Sequence, residues 1–166
     1  RSIRYFCSLM DYYRNILITG CSSGLGEALF NKVWEHDFLK PFGHYRTEDG
    51  DPYALIGDIT DPDFPEKLDN YIREREIDCF INNAGVYEGD IIDTNLGSQI
   101  RMLQVVYKYF VEKGKGRIIN INSLAGLYPN SNESVYCASK FGLKGFSESI
   151  QLDAVDTGIE VTDVYL

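Results

Sequence analysis

An apolar run that leads directly into a glycine-rich turn constrains this chain more than any other feature. Residues 15–19 read NILIT, and residues 20–26 read GCSSGLG. The pattern predicts a buried strand, a tight turn and a helix that begins at Gly24. Two kinds of site use such a turn. A strained G-x-S-x-G turn exposes a serine nucleophile, here Ser22, whereas a turn with three glycines cradles the pyrophosphate of a dinucleotide.

Strand patterns alternate with helical patterns along the rest of the chain. The predicted strands are 15–19, 42–45, 53–56, 78–82, 117–121 and 159–166. The predicted helices are 24–37, 61–76, 97–113 and 134–156. The candidates for the buried face of the first helix are Leu25, Leu29, Val33 and Trp34. The alternation predicts an α/β fold: a doubly wound Rossmann-like parallel sheet with helices on both faces, in three αβα layers, which binds ligands at the carboxyl ends of its strands.

Composition and charge narrow the class of protein. The 166 residues are 44% hydrophobic, which suits one folded domain with a core. The formal net charge of −9 disfavours nucleic acid as a partner. No apolar run approaches the length of a membrane span, and the four cysteines form no C-x-x-C pair. We therefore expect a cytoplasmic protein with no membrane segment, metal site or disulfide framework.

The serine-nucleophile interpretation of the turn requires a histidine base. Its fold places that histidine after the acid, late in the chain. The two histidines, His36 and His44, instead fall shortly after Ser22, and we expect them to be surface or second-strand residues. A phosphate-binding P-loop is also excluded, because no G-x-x-x-x-G-K-[ST] sequence is present. The dinucleotide interpretation is therefore the stronger one.

Three residues farther along the chain suggest acid–base chemistry. Tyr136 and Lys140 are four residues apart in a predicted helix, so their side chains share one face. A lysine ammonium stabilises a neighbouring phenolate, and a tyrosine tuned in this way serves as a general acid or base. Ser123 follows the fifth predicted strand, at the same sheet edge as the glycine turn, where its hydroxyl could bond to an oxygen that gains charge. Taken alone, Tyr136 and Lys140 would be an ordinary pair on the protein surface. Taken alone, Ser123 would be an ordinary serine at the end of a strand.

Taken together, these motifs resemble the short-chain dehydrogenase/reductase family. The resemblance rests on the order and spacing of T-G-x-x-x-G-x-G at residues 19–26, N-N-A-G at residues 82–85, Ser123, and Y-x-x-x-K at residues 136–140. It covers residues 12–166. It implies a Rossmann-like sheet, a nicotinamide cofactor and hydride transfer between a carbonyl and an alcohol.

The resemblance also implies roles for individual residues. Tyr136 would be the proton donor in reduction, Lys140 would bind the ribose and stabilise the phenolate, and Ser123 would polarise the substrate oxygen. Asn95 resembles the family's helix asparagine, which supports a water relay to the lysine. The residues that would line the cofactor, besides Tyr136 and Lys140, are Gly20, Ser22, Ser23, Gly24, Leu25, Gly26, Asp58, Ile59, Asn83, Ala84 and Gly85.

Arg46 bears on the choice between NADP and NAD. In dinucleotide folds an acid near the end of the second strand binds the ribose 2′-OH, whereas an arginine accommodates a 2′-phosphate. Arg46 occupies that place, so the sequence favours NADP. Glu48 and Asp49 are close enough to leave NAD open.

Three departures from the family pattern accompany the resemblance. The link between Arg46 and Tyr53 is shorter than a parallel crossover normally requires, so the second strand is short or the link is an irregular loop. Asn95 follows Gly85 more closely than usual, which puts its role in doubt. The chain also stops where the family has its substrate-binding loop. A non-catalytic dinucleotide sensor or scaffold therefore remains an alternative to an enzyme acting on a small carbonyl or alcohol.

The chain ends lead to an expectation about domain organisation. The chain begins with Arg1, and Met10 lies shortly before the first strand. We expect residues 1–9 to be a non-native or disordered extension. Residues 10–166 would then form a single dinucleotide-binding domain that is incomplete at its C-terminus, with a homo-oligomer possible for the full-length protein.

Overall fold

A single parallel sheet organises the computed structural model, which describes residues 13–47 and 50–166. The strands are β1 (Asn15–Ile18), β2 (Lys40–Tyr45), β3 (Leu55–Ile56), β4 (Cys79–Asn82), β5 (Gly116–Asn122) and β6 (Ile159–Tyr165). The α-helices are α1 (Gly24–Trp34), α2 (Phe64–Glu74), α3 (Ser98–Lys113) and α4 (Ser134–Asp153). The strand order is β3-β2-β1-β4-β5-β6, and neighbouring strands run parallel. The predicted doubly wound fold is confirmed. The predicted extension at residues 1–9 lies outside the described residues.

Alternating strand side chains build a core on each face of the sheet. Leu17, Phe80 and Ile118 point to one face, where they pack with residues of α2, α3 and α4. Ile16, Ile18 and Ile81 point to the other face, where α1 contributes Val33. Among the described residues the three αβα layers are therefore present, with α2, α3 and α4 on one face and α1 on the other. No helix among the described residues is both long and apolar enough to cross a membrane.

The buried face of α1 differs from the sequence prediction. Leu29 and Val33 pack toward the core as expected, but Leu25 is 40% exposed and Trp34 is 68% exposed. Gly26 takes a buried position instead. Because the start of α1 approaches the end of β1 closely, the helix is rotated about its axis relative to the predicted orientation. This rotation turns Leu25 toward the ligand-binding edge.

The short link between β2 and β3 is accommodated by a very short third strand. Residues 46–54 connect two parallel strands, although a parallel crossover normally needs a dozen residues or more. β3 pairs only with the end of β2, His44 with Leu55 and Tyr45 with Ile56. The chain therefore returns only a short way before it re-enters the sheet. The described part of this link contains no helix, and Glu48 and Asp49 lie outside the described residues.

A chain of buried polar side chains crosses the sheet from β4 to β6. Asn82 Nδ2 donates to Asn120 Oδ1 at 3.1 Å, and Asn120 Nδ2 donates to Ser147 Oγ at 2.9 Å. The Ser147 hydroxyl donates to Asp163 Oδ1 at 2.8 Å. Burial raises the pKa of Asp163, and the hydrogen bond from Ser147 opposes that rise. The carboxylate of Asp163 therefore ends this chain of hydrogen bonds, and partial burial of its charge costs free energy.

Replacing Asp163 by asparagine is expected to stabilise the fold at neutral pH. A carboxyl whose pKa rises on folding favours the folded state when protonated, so its stabilisation is present at low pH and is lost as the pH rises through the folded pKa. The amide oxygen of Asp163→Asn can still accept from Ser147. Because Asp163 is only half buried, we expect a gain below about 1 kcal/mol.

Urea unfolding at acidic and neutral pH measures this effect. The stability difference between Asp163→Asn and wild type should grow as the pH rises. The exposed Asp37→Asn provides the control and should show a much weaker dependence. A loss of stability in Asp163→Asn at neutral pH would contradict the argument.

Candidate active site

The glycine turn forms one wall of a cleft at the carboxyl ends of the strands. Gly20 has a φ of +74°, and a Cβ there would lie 2.9 Å from the Cα of Ala84. A Cβ on Gly26 would lie 2.1 Å from the carbonyl oxygen of Gly20 and 2.6 Å from Asn83 Nδ2. Glycine at these two positions lets the start of α1 sit against the end of β1. The first turn of α1 lines the cleft, and the free amides of a helix start favour an anion there.

Thr19 anchors the floor of this cleft. Its hydroxyl oxygen accepts from the backbone N–H groups of Asn83 and Ala84, both at 2.9 Å. The Asn83 side-chain amide donates to the carbonyl of Thr19 at 2.8 Å. Sequence reasoning included Thr19 in the motif but assigned it no function. The sequence feature that could have indicated this role is a residue with a hydroxyl group at the end of a buried strand.

The cleft brings together most of the residues predicted to line the cofactor, among them Arg46, Asp58 and Ile59, which were predicted at the adenosine end. The residues that line the cleft, which has a volume of about 560 Å³, include Gly20, Ser22, Ser23, Leu25, Gly26, Arg46, Asp58, Ile59, Asn83, Ala84 and Gly85. Hydrogen bonds from the backbone and hydroxyl of Thr60 hold the pKa of Asp58 below its usual value, and Arg46 lowers it further. A cation and a carboxylate therefore stand together at this end.

His44 was expected on the surface or in the second strand, and it lies buried in β2 beneath the cleft. Its Nδ1 accepts from the backbone N–H of Gly20 at 3.2 Å, and its Nε2 lies 2.9 Å from the carbonyl oxygen of Gly57. Both ring nitrogens are engaged by the backbone, so neither is left to activate Ser22. His36 follows the opposite end of α1, about 16 Å along the helix from the turn. In the described part of the chain, neither histidine is therefore placed to act as the base that a serine nucleophile at Ser22 needs.

A second pocket adjoins the cleft and contains the predicted acid–base residues. Its volume is about 340 Å³, and it is lined in part by Asn95, Ser123, Tyr136 and Lys140. Asn83, Gly85 and Val86 line both spaces, so the pocket and the cleft form one continuous surface. The structure thus brings together residues from β5, α4 and the helical turn before α3.

Ser123 is oriented by the short 3₁₀ turn that follows β5. The turn spans Leu124–Gly126, and the Ser123 Oγ accepts from the backbone N–H of Ala125 at 3.2 Å. Because a hydroxyl both accepts and donates, the Ser123 proton stays available to another acceptor in the pocket.

Lys140 is a buried cation beside Tyr136. It is 8% exposed, and its Nζ lies 5.7 Å from the centre of the Tyr136 ring. Burial lowers the pKa of Lys140. No carboxylate of the described residues lies within ion-pairing distance of it. A desolvated ammonium of this kind favours a hydroxyl-rich or anionic neighbour.

Asn95 reaches the pocket through an irregular helical turn. The residues Asp93–Gly97 form a π-helical turn directly before α3. The Asn95 side chain clamps the backbone of Val86, accepting from its N–H at 2.7 Å and donating to its carbonyl at 2.6 Å. The short approach from Gly85 therefore does not keep Asn95 away from the pocket. Its amide is committed to holding the segment after Gly85.

Tyr87 and Gln99 are two residues that sequence reasoning missed. The Tyr87 ring lies 5.1 Å from that of Tyr136, and its hydroxyl donates to Glu133 Oε1 at 2.8 Å. This hydrogen bond raises the pKa of Tyr87. Gln99 is buried and donates to the carbonyl of Ala84 at 2.6 Å. Neither carries a sequence signal, because each depends on a contact between distant segments.

The described residues fit a nicotinamide dinucleotide. The glycine turn lets the start of α1 pack closely beside the cleft. Arg46 and Asp58 supply polar groups in the cleft, and Lys140 lies in the adjoining pocket. An extended two-part ligand could therefore run from Arg46 to Tyr136 across Asn83.

Similarity to known proteins agrees with this geometry. The chain matches the short chain dehydrogenase family over residues 14–166. It is 32% identical over 172 residues to the 3-oxoacyl-acyl-carrier-protein reductase of Escherichia coli K12, covering 89% of this chain and 70% of that protein. Serine dehydrogenase from Escherichia coli has a TM-score of 0.81 at 26% identity, covering 91% of this chain and 81% of that one. The structure of actinorhodin polyketide ketoreductase with NADPH has a TM-score of 0.79 at 26% identity, covering 92% of this chain and 69% of that one.

The chain belongs to the short-chain dehydrogenase family, as the motif resemblance predicted. It is an oxidoreductase of that family, whose members use a nicotinamide cofactor. It spans about 70% of the length of the curated relatives that it matches.

Proposed function

We propose that this chain transfers a hydride between a nicotinamide cofactor and a small carbonyl or alcohol substrate, with Tyr136 as the general acid in reduction and the general base in oxidation. The observation that carries the proposal is the convergence of Ser123, Tyr136 and Lys140 in one pocket that opens into the glycine-lined cleft.

Each of the three side chains has a distinct part in this chemistry. When bound, the nicotinamide supplies a hydride to the carbonyl carbon or takes one from the alcohol carbon. The Tyr136 hydroxyl gives its proton to the carbonyl oxygen in reduction and its phenolate takes a proton back in oxidation. Ser123 donates a hydrogen bond to the same oxygen, where negative charge develops. The buried Lys140 ammonium stabilises the phenolate and binds the cofactor ribose.

Asn95 serves this site by holding the segment after Gly85 against the pocket. Its two hydrogen bonds to Val86 fix backbone that borders both the cofactor cleft and the adjoining pocket. We propose that this clamp keeps the path from Lys140 to solvent open for a water relay.

The test of the proposal follows the absorbance of NADPH in the presence of simple ketones and a 3-oxoacyl compound, since the Escherichia coli relative is named a 3-oxoacyl-acyl-carrier-protein reductase. Oxidation of NADPH that requires a ketone supports the enzyme. Tight binding of NADPH or NADH with no turnover on any of these compounds would support the sensor or scaffold instead.

We also propose that NADP is preferred over NAD. Arg46 is exposed, directly follows β2 and lines the adenosine end of the cleft, where it could pair with a 2′-phosphate. Arg46→Ala is expected to lower the ratio of NADPH to NADH affinity by about tenfold, because it removes a charge-assisted hydrogen bond.

Fluorescence titration with both cofactors measures this ratio. Arg14→Ala is the matched control, since Arg14 is exposed at the start of β1, the opposite edge of the sheet, and it should leave the ratio unchanged. An equal ratio in wild type and Arg46→Ala would remove Arg46 from the specificity argument.

A further inference from the structure

One histidine side chain connects two loops that line the cofactor cleft. His44 is 3% exposed and sits next to the last residue of β2. Gly20, which donates to its Nδ1, begins the glycine turn, and Gly57, whose carbonyl faces its Nε2, directly precedes Asp58. The His44 carbonyl also accepts from the backbone N–H of Cys21 at 2.9 Å. Through its ring and its backbone, His44 therefore holds both loops.

The two partners define the protonation state of the ring. The Gly20 N–H is a donor, so Nδ1 must carry a lone pair, and the Gly57 carbonyl is an acceptor, so Nε2 must carry the proton. The ring of Phe64 packs edge-on at 5.1 Å and limits rotation of the imidazole. One neutral tautomer satisfies every contact. A second proton on Nδ1 would oppose the Gly20 N–H.

We infer that His44 is a positioning residue that holds the pyrophosphate turn and the adenine-side loop in register only while its ring is neutral, so that acid weakens dinucleotide binding. This inference rests on the proposed cofactor site. Protonation of Nδ1 breaks the bond from the Gly20 N–H and pushes the turn away, while Nε2 keeps its proton and still donates to the Gly57 carbonyl. No residue of the catalytic pocket takes part in this step.

The charges that face His44 determine the pH at which this occurs. Burial in the core lowers the pKa of His44, while the Gly57 carbonyl and the Asp58 carboxylate oppose the shift and Lys67 of α2 adds to it. A lowered histidine pKa means that the neutral, binding-competent form is present at neutral pH and is lost as the pH falls through that pKa. The midpoint of the binding transition is therefore expected at a pH below the pKa of an ordinary histidine.

Binding of ADP-ribose between about pH 5 and pH 8 tests the inference. ADP-ribose carries the adenosine and the pyrophosphate but no nicotinamide and no 2′-phosphate that titrates in this range. We expect the wild-type Kd, measured by calorimetry, to rise a few-fold toward the acidic end, because only the protein with a neutral His44 ring keeps the bond from Gly20 and holds the turn in place.

Two variants make the test specific. His44→Asn places a carbonyl oxygen near the position of Nδ1, where it can accept from Gly20 but cannot titrate, so its Kd should stay nearly constant with pH. His36→Asn alters the other histidine, which lies beyond α1, and should keep the wild-type slope. Equal slopes in wild type and His44→Asn would overturn the inference.

NMR of the ligand-free protein provides a second readout. The amide resonance of Gly20 should shift with the same midpoint as the His44 ring protons in wild type and should lose that titration in His44→Asn. A Gly20 amide that ignores the His44 titration would overturn the inference even if binding varied with pH. Failure of folded wild type to bind ADP-ribose at any pH would instead overturn the proposed cofactor site, and the inference with it.

Discussion

Tyr136→Phe is expected to lower kcat by a factor of about 10² to 10⁴, with little change in cofactor affinity. The substitution removes the hydroxyl that exchanges a proton with the substrate oxygen and keeps the ring that lines the pocket. Lys140 and the glycine-lined cleft are untouched, so NADPH should still bind. Single-turnover kinetics on a responsive ketone, together with an NADPH titration, separate these two effects.

Tyr87→Phe is the matched control for this prediction. Tyr87 lies against Tyr136, but its hydroxyl donates to Glu133, so its removal should change kcat only a few-fold. Similar losses in the two variants would show that the pocket depends on its tyrosine hydroxyls in general and not on the Tyr136 proton in particular. A Tyr136→Phe variant with normal turnover would refute the acid–base role outright.

The features that the sequence predicted well are those carried by local patterns. Alternating strand and helix signals predicted the doubly wound sheet, and the central strands β1 and β4 are short, almost wholly buried runs of the kind that a parallel sheet requires. Ser123 and the glycine turn each follow such a strand, and the ends of parallel strands meet at one edge. Their shared edge could therefore be expected from the chain alone, and the spacing of Tyr136 and Lys140 placed both on one helix face.

The features that the sequence did not predict depend on contacts between distant segments. The exposure of Leu25 and Trp34 follows from how close α1 approaches β1, which helical spacing does not encode. The two hydrogen bonds between Asn95 and Val86 form at a π-helical turn, and no residue pattern predicted that turn. His44 looked like an ordinary strand residue, because its two partners are backbone groups of loops far from it in the chain.

Gly26→Ala is expected to destabilise the fold by about 3 kcal/mol and to abolish dinucleotide binding. Its Cβ would fall 2.1 Å from the carbonyl oxygen of Gly20, a backbone atom that cannot move away without shifting the turn. The nearby Asn83 amide, 2.6 Å from the same point, leaves no alternative direction. Either the start of α1 or the end of β1 must therefore be displaced, and both form the wall of the cleft.

Gly145→Ala isolates this effect from helix propensity. Gly145 also lies within an α-helix, and a Cβ there would have no neighbour within 4 Å. Alanine at that position should stabilise the protein by up to about 1 kcal/mol, since it is the better helix former. Urea unfolding of the two variants should therefore move in opposite directions, and ADP-ribose should bind to Gly145→Ala as it does to wild type. The prediction would be wrong if Gly26→Ala had the same stability in urea and the same affinity for ADP-ribose as Gly145→Ala. The close approach of α1 to β1 would then not be what shapes the cleft.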